Sequence, residues 1–220
     1  MHLHRELAKV RQEFLDLGAM VEDRVKKACS VIQTRDQELI DYIINSDHEI
    51  DEKEIELEEE CLKILALHQP VARDLRFIIT VIKVNNEVER IADYAVKIAK
   101  RVRTIIRDAD IVCSSIDFQD MADKVINMLK MSLNALVEDN AELAHQVFIL
   151  DDEVDDLQKE AYRKIRKSLD QPPGEGEHSD CLLNMFLLAR HLERIGDRSI
   201  NIAEEVIYLV EGEIIRGDHP

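Results

Sequence analysis

Val88-Glu-Arg-Ile-Ala-Asp93 returns as Leu192-Glu-Arg-Ile-Gly-Asp197, displaced by 104 residues. A chain that repeats itself at a fixed offset is built from two copies of one supersecondary unit, and each copy must be readable as the same fold. The offset holds well beyond the motif. Laid without a gap, residues 14–106 and 118–210 give 19 identities in 93 pairs, against about 6 expected by chance for this composition. Asp47, Glu49 and Asp51 match Asp151, Glu153 and Asp155, and Ile98-Ala99 matches Ile202-Ala203. Where identity is lost, apolar character often stays, as in Leu17 with Met121 and Ile43 with Val147.

The repeated unit is helical. Gly, Pro and aromatic residues are scarce and Trp is absent, which suits helices better than sandwiches or barrels. No segment alternates with period two, so no sheet is expected. The first helix is expected from about Leu3 to Thr34, with Phe14, Leu17, Val21, Val25, Ala28 and Ile32 at helical spacing. Asp36 is placed to cap the second, for which a break is expected near Asn45-Ser46 with Asp47 capping a fresh start, and which reaches about Leu67. Gln69-Pro70 makes a tight turn, and a third helix runs from Val71 to about Arg107. The second half repeats the plan over Ile116–Val137, Asn140–Leu169 and Ser179–Val210. A loop is expected at Gln171–Gly176 and a crossover at 108–115. Short turns between long helices make neighbours antiparallel. The expected fold is all-α: two tandem three-helix bundles related by internal duplication, residues 1–108 and 109–220.

The formal net charge of −17 argues against nucleic acid, which needs clustered Lys and Arg. It argues equally against adhesion to anionic lipid. No apolar run approaches the ~20 residues needed to span a membrane, and the N-terminus shows no signal-peptide core. The four cysteines form no metal or redox spacing, so reduced thiols in a cytoplasmic protein are expected. A strongly acidic chain remains compatible with cations or a basic partner.

Carboxylates interrupt the apolar stripes at repeated places. On the third helix the row Val71, Leu75, Ile78, Ile82 continues through Asn85, Glu89 and Asp93 before resuming at Val96. On the second, Asp47 stands in the row Ile43, Ile50, Glu54, Leu57, Cys61, Ile64, and Asp51 follows one turn later. The pairs Asp151/Asp155 and Glu193/Asp197 repeat this in the second half. Residues four apart share a helix face. Counted from the turn at Gln69, Asp47 and Asp51 average 20 residues before it, and Glu89 and Asp93 average 22 after it. In an antiparallel hairpin the two pairs therefore stand at one height, about 30 Å from the turn. Counting about the loop near Gly174 does the same for the second half. Four carboxylates in one partly buried place must be protonated, ion-paired or bridged by a cation. Arg90 and Arg194 lie beside them. An all-oxygen metal site in each half suits hard cations such as Mg2+, Mn2+, Ca2+ or Fe3+.

The paired acidic motifs, Gln69-Pro-Val-Ala-Arg-Asp-Leu-Arg76 and the two Glu-Arg-Ile-x-Asp copies resemble the PhoU family over essentially the whole chain. The resemblance implies a cytoplasmic, dimeric regulator, associated with the phosphate ABC transporter (its ATPase subunit) and with the sensor histidine kinase of the phosphate regulon. Such proteins restrain phosphate uptake and the phosphate-starvation response. Some members carry multinuclear iron or zinc clusters on the motif carboxylates. Carried over, the ligands are Glu89, Asp93, Glu193 and Asp197, with Asp47, Asp51, Asp151 and Asp155 opposite. The second half lacks the Gln-Pro-x-Ala-x-Asp-Leu-Arg turn, so Arg73, Asp74 and Arg76 occur once. They make either a helix start with local ion pairs or a partner-docking corner.

Two other readings compete. A metal-free helical adaptor would hold the same acids in salt bridges. A carboxylate-bridged di-iron enzyme needs Glu-x-x-His on two helices. Glu142-Leu-Ala-His145 supplies one, but its counterpart is Glu38-Leu-Ile-Asp41. His191 aligns with Glu87 and is expected to be exposed. No nucleophilic triad and no Walker-type phosphate loop is present, so no enzyme activity is expected.

Overall fold

The computed structural model describes residues 2–107, 116–170, 179–212 and 214; the expected loop at 171–176 and crossover at 108–115 lie outside them. The described residues form seven α-helices and no strand: α1 (His2–Thr34), α2 (Gln37–Asn45), α3 (His48–His68), α4 (Ala72–Arg107), α5 (Gln119–Glu138), α6 (Ala141–Leu169) and α7 (Ser179–Glu211). The second helix of the first half does break, into α2 and α3. Asp36 caps α2 as expected, its carboxylate accepting from the Leu39 N–H at 3.1 Å.

Asp47 does not cap α3. Its backbone is already helical and its side chain makes no capping bond. Its carboxylate instead receives Nη1 of Arg24, while Nη2 of Arg24 donates to the Ser46 carbonyl at 2.7 Å and to its hydroxyl at 2.9 Å. Arg24, only 4% exposed, thus satisfies the break from inside the bundle. At the second turn Gln69 takes φ of +44°, a left-handed helix stop, and α4 begins one residue later than expected because Ala72 also has positive φ. Asn140 caps α6, its side-chain oxygen accepting from the Leu143 N–H at 3.0 Å. Asn140→Ala is expected to cost about 1 kcal/mol, read as a lower urea midpoint at unchanged slope.

The stripe Val81, Val84, Val88, Ile91, Ala95, Ile98 and Val102 of α4 is buried, as is its repeat along α7. Val71 and Leu75, placed by the sequence at the start of the row that runs into Glu89, are instead exposed at 74% and 39%. α4 packs on α1, α2 and α3, and α7 packs on α5 and α6. The two long helices also pack on one another, antiparallel, and α1 reaches α5. Buried apolar side chains of both halves form one continuous cluster.

Polar contacts along the α4–α7 seam record the duplication. Arg198 donates to Glu87 at 3.2 Å, Asn201 donates to Glu87 at 3.0 Å, and Lys83 donates to Glu205. Shifting each member of the Glu87–Arg198 pair by 104 positions gives His191 and Tyr94, whose rings lie 5.9 Å apart. The seam is thus quasi-symmetric in geometry but not in charge. Cys29 and Cys61 are buried free thiols, pushed by burial up to about 12 and so kept as unreactive core atoms. Cys181 is disulfide-bonded, contrary to the expectation of reduced thiols.

Candidate metal centres

In the first half, Asp47 stands at the α2–α3 junction, Asp51 on the first turn of α3, and Glu89 and Asp93 on successive turns of α4. Antiparallel packing sets Asp47 against Asp93 and Asp51 against Glu89, so each facing pair sums to the same residue number. The electrostatics follow. Burial pushes the Glu89 carboxyl up, and Asp93, Asp51 and Glu54 push it further against a weaker pull from Arg90. Asp47 is raised by burial and then by Asp51, with Arg24 opposing and Asp93 adding to the rise. Half-buried carboxyls raised by acidic neighbours, as Glu89 and Asp47 are, mark a place where negative charge exceeds its compensation.

The second half repeats the grouping. Asp151 and Asp155 lie on α6, Glu193 and Asp197 on α7. Burial raises Glu193, with Asp197 and Asp155 contributing and Arg194 opposing. Gly196, which replaces Ala92 of the first copy, leaves room beside Asp151: a Cβ there would lie 3.7 Å from its carboxylate oxygen. Arg194 distinguishes this half. It donates to Asp197 at 2.7 Å and approaches Glu193 at 3.6 Å. Even so, burial holds the Asp197 carboxyl above its ordinary value, so desolvation outweighs the ion pair there. Arg90 makes no corresponding bridge to a described residue.

Among the described residues, no three Asp, Glu, His or Cys side chains are arranged to hold a metal ion as they stand. Asp47 points to Arg24, and Asp93 to Lys97 at 3.2 Å. The donor set nonetheless fits a hard cation, being wholly oxygen and under-compensated. Glu142 and His145, the di-iron candidates, are both exposed on the first turns of α6.

The sequence reading missed three participants. Arg24 occupies a core position in the series Leu17, Val21, Arg24, Ala28, and an arginine in an apolar row was the available signal. Asn85 and Glu54 were read only as members of stripes. His191 is not exposed: it is half-buried against Tyr94, its Nε2 has no partner, and its pKa falls to about 4. The Arg73 corner links the two halves at the surface, where Arg73 itself stays exposed. Arg73 reaches Asp139 at 2.9 Å, Arg76 donates to the Leu209 carbonyl at 3.4 Å, and Arg11 donates to the Val137 carbonyl at 2.7 Å. Asp74 lies on the first turn of α4, where a carboxylate favours the helix N-terminus.

The family described as "PhoU domain" matches residues 14–102 and 118–206, two copies at the same offset of 104. A "phosphate-specific transport system accessory protein PhoU homolog" of Clostridium acetobutylicum is 33% identical over 211 residues, 94% of each chain. One from Pseudomonas aeruginosa is 35% identical over 96% of this chain and 86% of its own length. The crystal structure of PhoU from Pseudomonas aeruginosa superposes with a TM-score of 0.89 at 34% identity, covering 96% of this chain and 99% of that one. The phosphate transport system regulatory protein PhoU from Streptococcus pneumoniae gives 0.85 at 27% identity, over 96% and 98%. With two domain copies, relatives matched over nearly their full length and crystal structures that superpose on it closely, this chain belongs to the PhoU family.

Proposed function

We propose that this chain is a metal-binding, non-enzymatic accessory protein of phosphate transport. In this reading it restrains phosphate uptake and the phosphate-starvation response. It works in the cytoplasm as a homodimer, on the ATPase subunit of the phosphate ABC transporter and on the sensor histidine kinase. The transport role is supported by full-length relatives named for it. The metal is supported by one observation above all: two under-compensated carboxylate groups, at repeat-related places, each drawn from two helices.

Glu89, Asp93, Asp47 and Asp51 would hold metal in the first half, and Glu193, Asp197, Asp151 and Asp155 in the second. Oxygen donors of this kind suit iron, manganese or magnesium, and the family resemblance adds zinc. What the metal supplies is charge. Bound there, it would offset the charge that these carboxylates place together, and so would favour the packing of α3 on α4 and of α6 on α7 that shapes the surface a partner meets. No helix among the described residues is long and apolar enough to cross a membrane, so membrane insertion forms no part of this reading.

Elemental analysis of untagged, chelator-free protein is the test, beside Glu89→Ala/Asp93→Ala and Glu193→Ala/Asp197→Ala. More than one metal per chain is expected, with each double variant losing its own half's share. No metal above background after incubation with Fe, Zn, Mn or Mg salts would sink the metal reading. It would favour the salt-bridged adaptor, for which the Arg194–Asp197 and Arg24–Asp47 pairs speak.

A further inference from the structure

A cavity of about 690 Å³ lies over α4, walled by α3, α4 and α7. Its charged lining is Glu54, Glu58, Glu87, Glu204, Glu205 and Lys83, five carboxylates against one cation. Within the chain Lys83 meets Glu205, and Arg198 meets Glu87. Glu54 and Glu58 make no ion pair with any described residue. The Glu54 carboxylate accepts only an amide bond, from Asn85 Nδ2 at 3.3 Å.

The place related to this cavity by the repeat carries the opposite charge. Asn86, Asn201, Glu204 and Glu205 become Arg190, Lys97, Lys100 and Arg101. Glu54, Glu58 and Glu87 become Gln158, Tyr162 and His191, so no carboxylate is left among the lining positions. Lys97 meets Asp93, but Lys100, Arg101 and Arg190 make no ion pair with any described residue. Beside these cations the Tyr162 and Phe186 rings stack at 4.4 Å and offer apolar contact. Both places lie on one face, where α3, α4, α7 and α6 stand side by side in that order. Glu87 and Arg101 are separated along α4 by about 21 Å. With a screening length of about 8 Å, the two places cannot neutralise each other within one chain.

We propose that a second copy of this chain docks on this face, so that the acidic cavity of each protomer receives the basic place of its partner. A two-fold axis lying in the face, perpendicular to the line between the two places, sets acid on base twice at once, and such an isologous contact closes. A foreign basic partner satisfies one place and leaves the other unmet. The face is large enough: helices of 21 to 36 residues, laid about 9 Å apart, give roughly 1,500 Å², against about 800 Å² per partner in a stable complex. Complementary charge of this kind selects the partner and fixes its register. The proposal rests on the homodimer of the preceding reading and adds the surface that makes it.

The test is sedimentation equilibrium of the full chain as purified, at about 0.15 M salt. Glu54→Lys/Glu58→Lys and Arg101→Glu/Arg190→Glu are each expected to weaken the dimer about tenfold or more, because like charges then face each other. Mixed one to one, the two variants are expected to pair with an affinity within about threefold of the parent's, because each reversed place then meets its opposite. Circular dichroism checks that each variant folds. If either does not, salt decides: raising it to about 0.5 M is expected to weaken the parent dimer about tenfold. Variants as dimeric as the parent, a mixture that stays monomeric, or a dimer indifferent to salt overturns this surface and leaves the homodimer standing. A monomeric parent overturns both, and leaves the two places to foreign partners of opposite charge.

Discussion

Ile98→Ala is expected to destabilise the chain by about 2–5 kcal/mol, and Ile202→Ala by a similar amount. The two are repeat equivalents, both fully buried, one on α4 and one on α7. Each truncation removes three methyl or methylene carbons and leaves a cavity that a close-packed interior fills only in part. The more telling expectation is cooperativity. Residues 1–108 and 109–220 read as two bundles in sequence, but α4 and α7 bury their stripes against each other as well as against their own neighbours. A half left alone would expose that face. Urea unfolding followed by far-ultraviolet circular dichroism should therefore give one transition in the parent and in both variants, shifted alike. Two transitions, of which Ile98→Ala moves only one, would show that the halves are independent.

What the sequence revealed follows from what periodicity encodes. The long helices and the facing of Asp51 and Glu89 follow from 3.6 residues per turn and short turns, whereas the α2–α3 break was announced by turn residues at Asn45-Ser46. A row of apolar residues announces a buried face without saying which helix covers it. The α4–α7 packing was therefore hidden, and His191 at that seam was misplaced. The same limit explains Asp47. Aspartate before a helix reads as a cap, but a buried arginine 23 residues earlier claims its carboxylate and the Ser46 carbonyl. The acidic groups were visible because carboxylates in an apolar row are costly and were written twice. Asn85 and Glu54 were written once, so the duplication gave no help with them.

Lowering the pH from 7.5 to 5 should cost the parent about 2 kcal/mol relative to His191→Phe. His191 sits between Tyr94 and the charges of Arg101, Lys97 and Arg190; burial first, and then those cations, bring its pKa from 6.5 to about 4. Between those values the unfolded chain binds a proton that the folded chain refuses, so stability falls as pH falls, and the loss is complete below about 4. Phenylalanine keeps a ring against Tyr94 and removes the unpartnered Nε2, so at pH 7.5 the two proteins should differ by less than about 1 kcal/mol. The comparison is necessary because the carboxylate groups act with the opposite sign. Glu89, Asp47, Glu193 and Asp197 are raised above their unfolded values, so their stabilisation is full below those values and is lost as pH rises through the raised ones. Acidifying the parent thus combines a histidine loss with a carboxylate gain, and its own pH profile need not fall. Subtracting the variant cancels the carboxylates, which both proteins share. Urea midpoints at the two pH values, measured in chelator, give the difference directly. A gap that does not widen on acidification would mean that His191 titrates near its ordinary value and that the seam admits the proton.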